Sequence, residues 1–139
     1  MKYEEMFNEY KKYVGISDED IAKYIDENNI DENDGIHIWF EFVVTPIVLD
    51  AIKNNNSNLI AKSFEFVENV LKTDDRDITE VIEFSLLEGI VSELGEKINE
   101  IDLYFGAETS KSIGAIKKIY FFLRNNKKTI VSNPSCPPT

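Results

Sequence analysis

The side chains able to do chemistry are almost all carboxylates: 26 Asp and Glu stand against 15 Lys and Arg, one histidine (His37) and one cysteine (Cys136). A single histidine and a single cysteine exclude a disulfide framework, a Cys/His zinc site and a histidine-based catalytic triad. The carboxylates cluster at Asp18, Glu19 and Asp20, at Asp26, Glu27, Asp31, Glu32 and Asp34, and at Asp74, Asp75 and Asp77. A surface of this kind suits a protein partner with a cationic cleft, with fast and salt-sensitive association. The expected partner-binding set is Asp31, Glu32, Asp34, Asp74, Asp75, Asp77, Glu80 and Glu83. Solvation and helix N-capping form the competing account, because Asp18 to Asp20 and Asp74 to Asp77 each open a helix. The net charge of −11 opposes binding to nucleic acid or an anionic membrane.

Narrower chemistries fit less well. Asp26 to Gly35 alternates oxygen ligands and ends on glycine, as calcium loops do, but the spacing fails. Counted from Asn29, position 6 is Asp34 instead of glycine; counted from Ile30, position 1 carries no ligand. No metal and no cofactor are expected. Glu88 shares a strip with Ser85, Gly89 and Ser92, small enough for another helix to approach, with Glu88 bonded to a neighbouring backbone or lysine. An enzyme built on carboxylates needs at least two of Glu83, Glu88 and Asp50 in one pocket with raised pKa values. No such grouping is visible in the spacing, so no catalytic residue is expected and the chain reads as a non-enzyme. His37 and Trp39 lie in an apolar stretch and read as core, with the ring nitrogen satisfied. Phe121 and Phe122 fall off the apolar arc of the last helix. Either the Thr129 to Val131 segment covers them, or they form an apolar patch for a partner or a homodimer. Cys136 has no base or metal company and reads as inert.

The elements that must position these groups read as helices throughout. With 139 residues, 42% of them hydrophobic, the chain suffices for one domain with a real core. We expect a single helical domain over 1–128 and a flexible Pro-rich tail over 129–139. Tyr3, Met6, Phe7, Tyr10 and Val14 recur at helical steps, and Gly15 ends that helix. Ser17 with Asp20 three residues on predicts a capping box, and Ile21, Tyr24 and Ile25 face inward behind it. Ile36 to Asn54 fits both periods; no second strand exists to pair with it, so it reads as a helix kinked or broken near Thr45-Pro46. Ser57 to Lys72 carries one apolar face, and Ile78 to Leu94 is apolar around nearly its whole circumference, which makes it the central helix, closed by Gly95. A short segment over Ile98 to Phe105 and a last helix from Ala107 to Asn125 complete six or seven helices. In that last helix Ile113, Ile116, Ile119, Tyr120 and Leu123 share one side. Charge is uneven: residues 1–34, 35–105 and 106–139 carry −7, −9 and +5, so a basic final helix and tail follow an acidic body. The start lacks the apolar core of a secretory signal, no stretch is apolar enough to span a membrane, and a cytoplasmic location is expected.

The run Phe64-Glu65-Phe66-Val67-Glu68-Asn69-Val70-Leu71, a short acidic turn, and then Ile78-Thr79-Glu80-Val81-Ile82-Glu83-Phe84-Ser85-Leu86-Leu87-Glu88-Gly89-Ile90 looks like one HEAT-type helical hairpin. Together with Tyr104-Phe105-Gly106-Ala107-Glu108-Thr109-Ser110-Lys111, it resembles the small acidic all-α immunity proteins of bacterial contact-dependent inhibition and related polymorphic toxin systems. The likeness covers roughly residues 36 to 123 and contains no catalytic motif. It implies an all-α fold of layered antiparallel hairpins and a cytosolic protein that binds one cognate toxin domain and blocks it. The alternative is a helical-repeat adaptor that binds some other protein through the same layers.

Overall fold

The computed structural model describes residues 1–132, with side chains up to residue 124, and all regular structure in that span is helical. A 3-10 turn at Tyr3–Glu5 leads into α1 (Met6–Val14), which stops at Gly15 with φ +74°. Helix α2 (Asp18–Asn28) opens on the expected capping box. Ser17 Oγ accepts from Asp20 N at 3.2 Å and Asp20 Oδ2 accepts from Ser17 N at 3.0 Å. Ser17→Ala is expected to lower stability by about 1 kcal/mol. A lower urea midpoint with an unchanged slope would show this.

Helix α3 joins Ile36–Trp39, a π-helical turn Phe40–Val44 and Thr45–Lys53 without leaving helical dihedrals at either junction. The helix expected to be kinked or broken near Thr45-Pro46 is continuous there, and its irregularity is the π turn just before that step. Proline removes the donor that would meet the Phe42 carbonyl four residues earlier. The chain absorbs this with the π turn, and Asn28 Nδ2 from α2 donates to that carbonyl at 3.4 Å. Helix α4 spans Ser57–Leu71. Helix α5 joins Arg76–Ile82, a second π turn Glu83–Leu87 and Glu88–Leu94, ending at Gly95 with φ +57°. A 3-10 stretch, Gly95–Tyr104, connects it to α6 (Ala107–Ser132). The last helix thus passes its predicted end at Asn125, and the remainder of the expected tail, 133–139, lies outside the described residues together with Cys136.

Helices α4 and α5 lie at the centre of the packing, α4 against α1, α3, α5 and α6 and α5 against α3, α4 and α6; α2 covers the π turn of α3, and α6 rests on α4 and α5. The apolar faces read from the sequence meet there: Met6, Tyr10, Phe40, Phe64, Val67, Ile82, Leu86 and Ile90 are buried. Tyr10 brings a polar atom into this core and meets it with Ser63, Oη to Oγ 2.8 Å. Burial pushes the Tyr10 phenol up and the Ser63 bond offsets only part of that.

The two π turns touch each other. Thr45 Oγ1 lies 2.8 Å from the Ser85 carbonyl and 2.9 Å from the Phe40 carbonyl, its single proton shared between them, and His37 Nδ1 lies 2.7 Å from Ser85 Oγ. A Cβ built on Gly89 would sit 3.0 Å from Thr45 Cγ2. Ser85 and Gly89 of the small-residue strip in α5 therefore form a helix crossing, while Ser92 and Glu88 are exposed and do not join it. His37 is half-buried with its ring nitrogen bonded, in line with a packing role.

Candidate functional site

A groove of about 480 Å³ opens between α1, α2 and the start of α3. Its floor is apolar, formed by Phe7, Ile21, Ala22, Ile25, Ile36 and Trp39. The Phe7 and Trp39 rings pack 4.8 Å apart at 45°. The rim holds four carboxylates, Asp18, Asp26, Glu32 and Asp34, against one lysine, Lys11, which pairs with Asp18. This local excess of negative charge beside low-dielectric walls focuses an attractive field on a cation. An apolar floor then rewards a partner that also carries hydrophobic side chains.

Of the residues expected to bind a partner, Glu32 and Asp34 belong to this rim. Asp31 and Asp34 also hold their own loop: Asp34 Oδ2 accepts from Asp31 N at 2.9 Å, and Asp31 Oδ1 accepts from Asn33 N at 2.7 Å. The second cluster stands at the start of α5. Asp75 is its N-cap, accepting from Asp77 N at 3.0 Å, while Asp74 and Asp77 are exposed. Glu80 pairs with Arg76 at 3.3 Å. Glu83 lines a different groove, with Phe84, Ile116 and Ile119. Asp18, Asp26 and the whole apolar floor were missing from the expected set. Asp18 and Asp26 stood among the clustered carboxylates, but at about 80° apart around α2 their spacing does not single them out.

The three carboxylates of the enzyme reading lie in different places. Asp50 lines a polar groove of about 520 Å³ and accepts from Tyr24 Oη, with Lys23 Nζ at 3.7 Å. Burial first, and then that bond to Asp50, push the Tyr24 phenol well above its ordinary range. Glu83 is at the α5–α6 groove and Glu88 is exposed. Among the described residues no three of His, Cys, Asp or Glu come together to hold a metal ion, and no helix is long and apolar enough to cross a membrane.

One carboxylate is drawn inward for structure. Glu68 of α4 caps the start of α6, accepting from Glu108 N at 3.1 Å, Thr109 N at 2.9 Å and Thr109 Oγ1 at 2.8 Å. Burial works to raise this carboxyl, and the donors from Thr109 and Glu108 outweigh it and hold the group below its ordinary range.

Among the side chains described, none covers the outer face of α6; the cover expected from Thr129 to Val131 lies outside them. Ile113, Ile116, Ile119, Tyr120 and Leu123 were expected to share one side of this helix, and the structure covers that side unevenly. Ile113 is buried, but Ile119 and Leu123 are 63% and 60% exposed, as is Phe122 at 63%. Phe121 is half-buried, its ring 5.7 Å from that of Tyr120.

A family model described as a domain of unknown function, DUF7674, matches residues 5–120, which covers every element from α1 to the middle of α6. The chain belongs to the DUF7674 family. No curated protein and no solved structure matches it. The DUF7674 match takes in all three helices of the acid-rimmed groove, the loop bearing Glu32 and Asp34, and the Glu68 cap.

Proposed function

We propose that this DUF7674 protein is a cytoplasmic immunity protein that neutralises a cognate bacterial toxin domain by direct contact, performing no chemistry itself. The observation that carries the reading is the acid-rimmed, apolar-floored groove between α1, α2 and α3. Its chemistry fits a protein surface with basic side chains around an exposed hydrophobe, as the substrate cleft of a nuclease toxin presents. The resemblance of residues 36 to 123 to immunity proteins supports the same assignment. On this reading α4 and α5 form a HEAT-like antiparallel hairpin against which the flanking helices layer, and the acidic turn at Asp74 and Asp77 adds long-range attraction.

The test is co-expression with a toxin domain encoded beside it. The two are expected to co-purify, and the protein is expected to restore growth to cells making the toxin. Asp26→Lys with Glu32→Lys should slow association about tenfold at low salt and flatten its salt dependence. Neither side chain caps a helix or bonds its own loop, so folding is spared. Asp74→Lys with Asp77→Lys should change the rate no more than about twofold, because the attraction from that turn acts at a distance and is screened. Equal slowing by the two pairs would leave only net charge at work and remove the groove from the assignment.

A further inference from the structure

We propose that the outer face of α6 from one copy of this chain seats in the acid-rimmed groove of a second copy. The proposal goes beyond the toxin-binding reading and stands whether or not a toxin is the partner. Two unexplained surfaces motivate it. The groove asks for a segment that is apolar on one side and basic beside it. The chain exposes such a segment: Ile119, Phe122 and Leu123 fall within an arc of about 100° on α6, and the exposed Lys118 lies about 40° beyond Phe122.

Among the described residues, nothing from the same molecule fills the seat. Helix α6 rests on α4 and α5, whereas the groove is walled by α1, α2 and the first turn of α3. Exposed apolar side chains of this size, clustered on one turn, mark contact surfaces on soluble proteins. Charge sets the orientation: Lys118 would approach Asp26, Glu32 and Asp34, while Phe122 and Leu123 cover the Trp39 floor. The same groove would then be closed to any other partner while the copies are paired, so self-association and partner binding would compete.

Light scattering on the purified full chain tests this with two exposed-site variants. Phe122→Glu with Leu123→Glu spoils the helix, and Ala22→Arg, at an exposed position of the groove, spoils the seat. The wild-type chain is expected to associate at high protein concentration and low salt, and to dissociate as salt rises. Each variant alone should be monomeric with wild-type far-ultraviolet circular dichroism. An equimolar mixture of the two should give a dimer again, because one intact groove meets one intact helix. A wild-type chain that stays monomeric would overturn the proposal. So would a mixture that stays monomeric, or an Ala22→Arg variant that still self-associates through α6 alone.

Discussion

Glu68→Ala is expected to lower the unfolding free energy by about 2–3 kcal/mol, an unusually large loss for a half-buried acidic residue. Helix α6 begins at Gly106-Ala107, where the N-cap position has no side chain to offer the first backbone donors. The Glu68 carboxylate takes that role from another helix and also accepts from the Thr109 hydroxyl, and Thr109 is fully buried. Alanine would leave those donors without a partner, at about 1–3 kcal/mol for a buried group. For a chain of this length the expected fall in Tm is about 7–10 °C. Gly106 is part of the same arrangement, since a Cβ there would lie 2.3 Å from Glu68 Cδ. Gly106→Ala should therefore evict the carboxylate and cost nearly as much, and adding it to Glu68→Ala should cost little more. Additive losses in that double-mutant cycle would show that the two positions act separately. Acidification gives a further check. The folded carboxyl is held below its ordinary 4.5, so its contribution is fully present above that value and is lost as pH falls through the folded one. The stability gap between wild type and Glu68→Ala should be flat from neutral pH to about 5 and shrink below it. A gap that widens with acid would contradict the cap.

Much of the local structure is legible in the sequence because it rests on local physics. The capping box at Ser17 and Asp20, the glycines that end α1 and α5, and the apolar stripes of α1, α4 and α5 each depend on a few neighbouring residues. The π turns are different. Nothing in Phe40-Glu41-Phe42-Val43-Val44 or Glu83-Phe84-Ser85-Leu86-Leu87 announces them, because they are settled where two helices meet and Thr45 bonds across to Ser85. Proline alone predicted a kink; the missing donor is absorbed by a widened turn and a borrowed Asn28 amide. The Glu68 cap was half legible, since a helix opening on Gly106 without a capping side chain needs a donor's partner from elsewhere, and the sequence does not say from where.

The groove was the least legible part. Phe7, Ile21 and Trp39 read as core because their spacing says only that they share an inward face. Whether such a face is fully covered depends on how many neighbours reach it, which is a property of the packed helices. The same argument runs the other way for α6. Its periodicity predicts one apolar face, but α4 and α5 cover only part of it, so Ile119 and Leu123 emerge to solvent. Acidic clusters were visible as composition, yet only the fold separates residues that shape their own loop, such as Asp31 and Asp75, from those left on the rim of the groove, such as Asp26 and Glu32.

Gly89→Leu is expected to cost about 3 kcal/mol, and to change the groove as well as the core. Even the first carbon of a side chain at this position meets Thr45 Cγ2 at 3.0 Å. Thr45 has nowhere to go, because its hydroxyl is held by the Ser85 and Phe40 carbonyls. The remaining carbons of leucine must then push α3 and α5 apart at the one crossing where both helices carry a π turn. Two companion variants separate sterics from lost hydrogen bonds. Thr45→Ser deletes Cγ2 and keeps the hydroxyl, so Gly89→Ala should be better tolerated in that background than in wild type. Thr45→Val keeps the bulk and removes the hydroxyl, and should give no such relief. The crossing also sets where α3 lies, and Trp39, the sole tryptophan, is two residues from the His37 that bonds Ser85. Separation of the helices should therefore move the Trp39 emission maximum to the red under conditions where circular dichroism still shows folded helices. A Gly89→Leu protein with wild-type emission and unchanged stability would mean that the two helices can part without disturbing the groove.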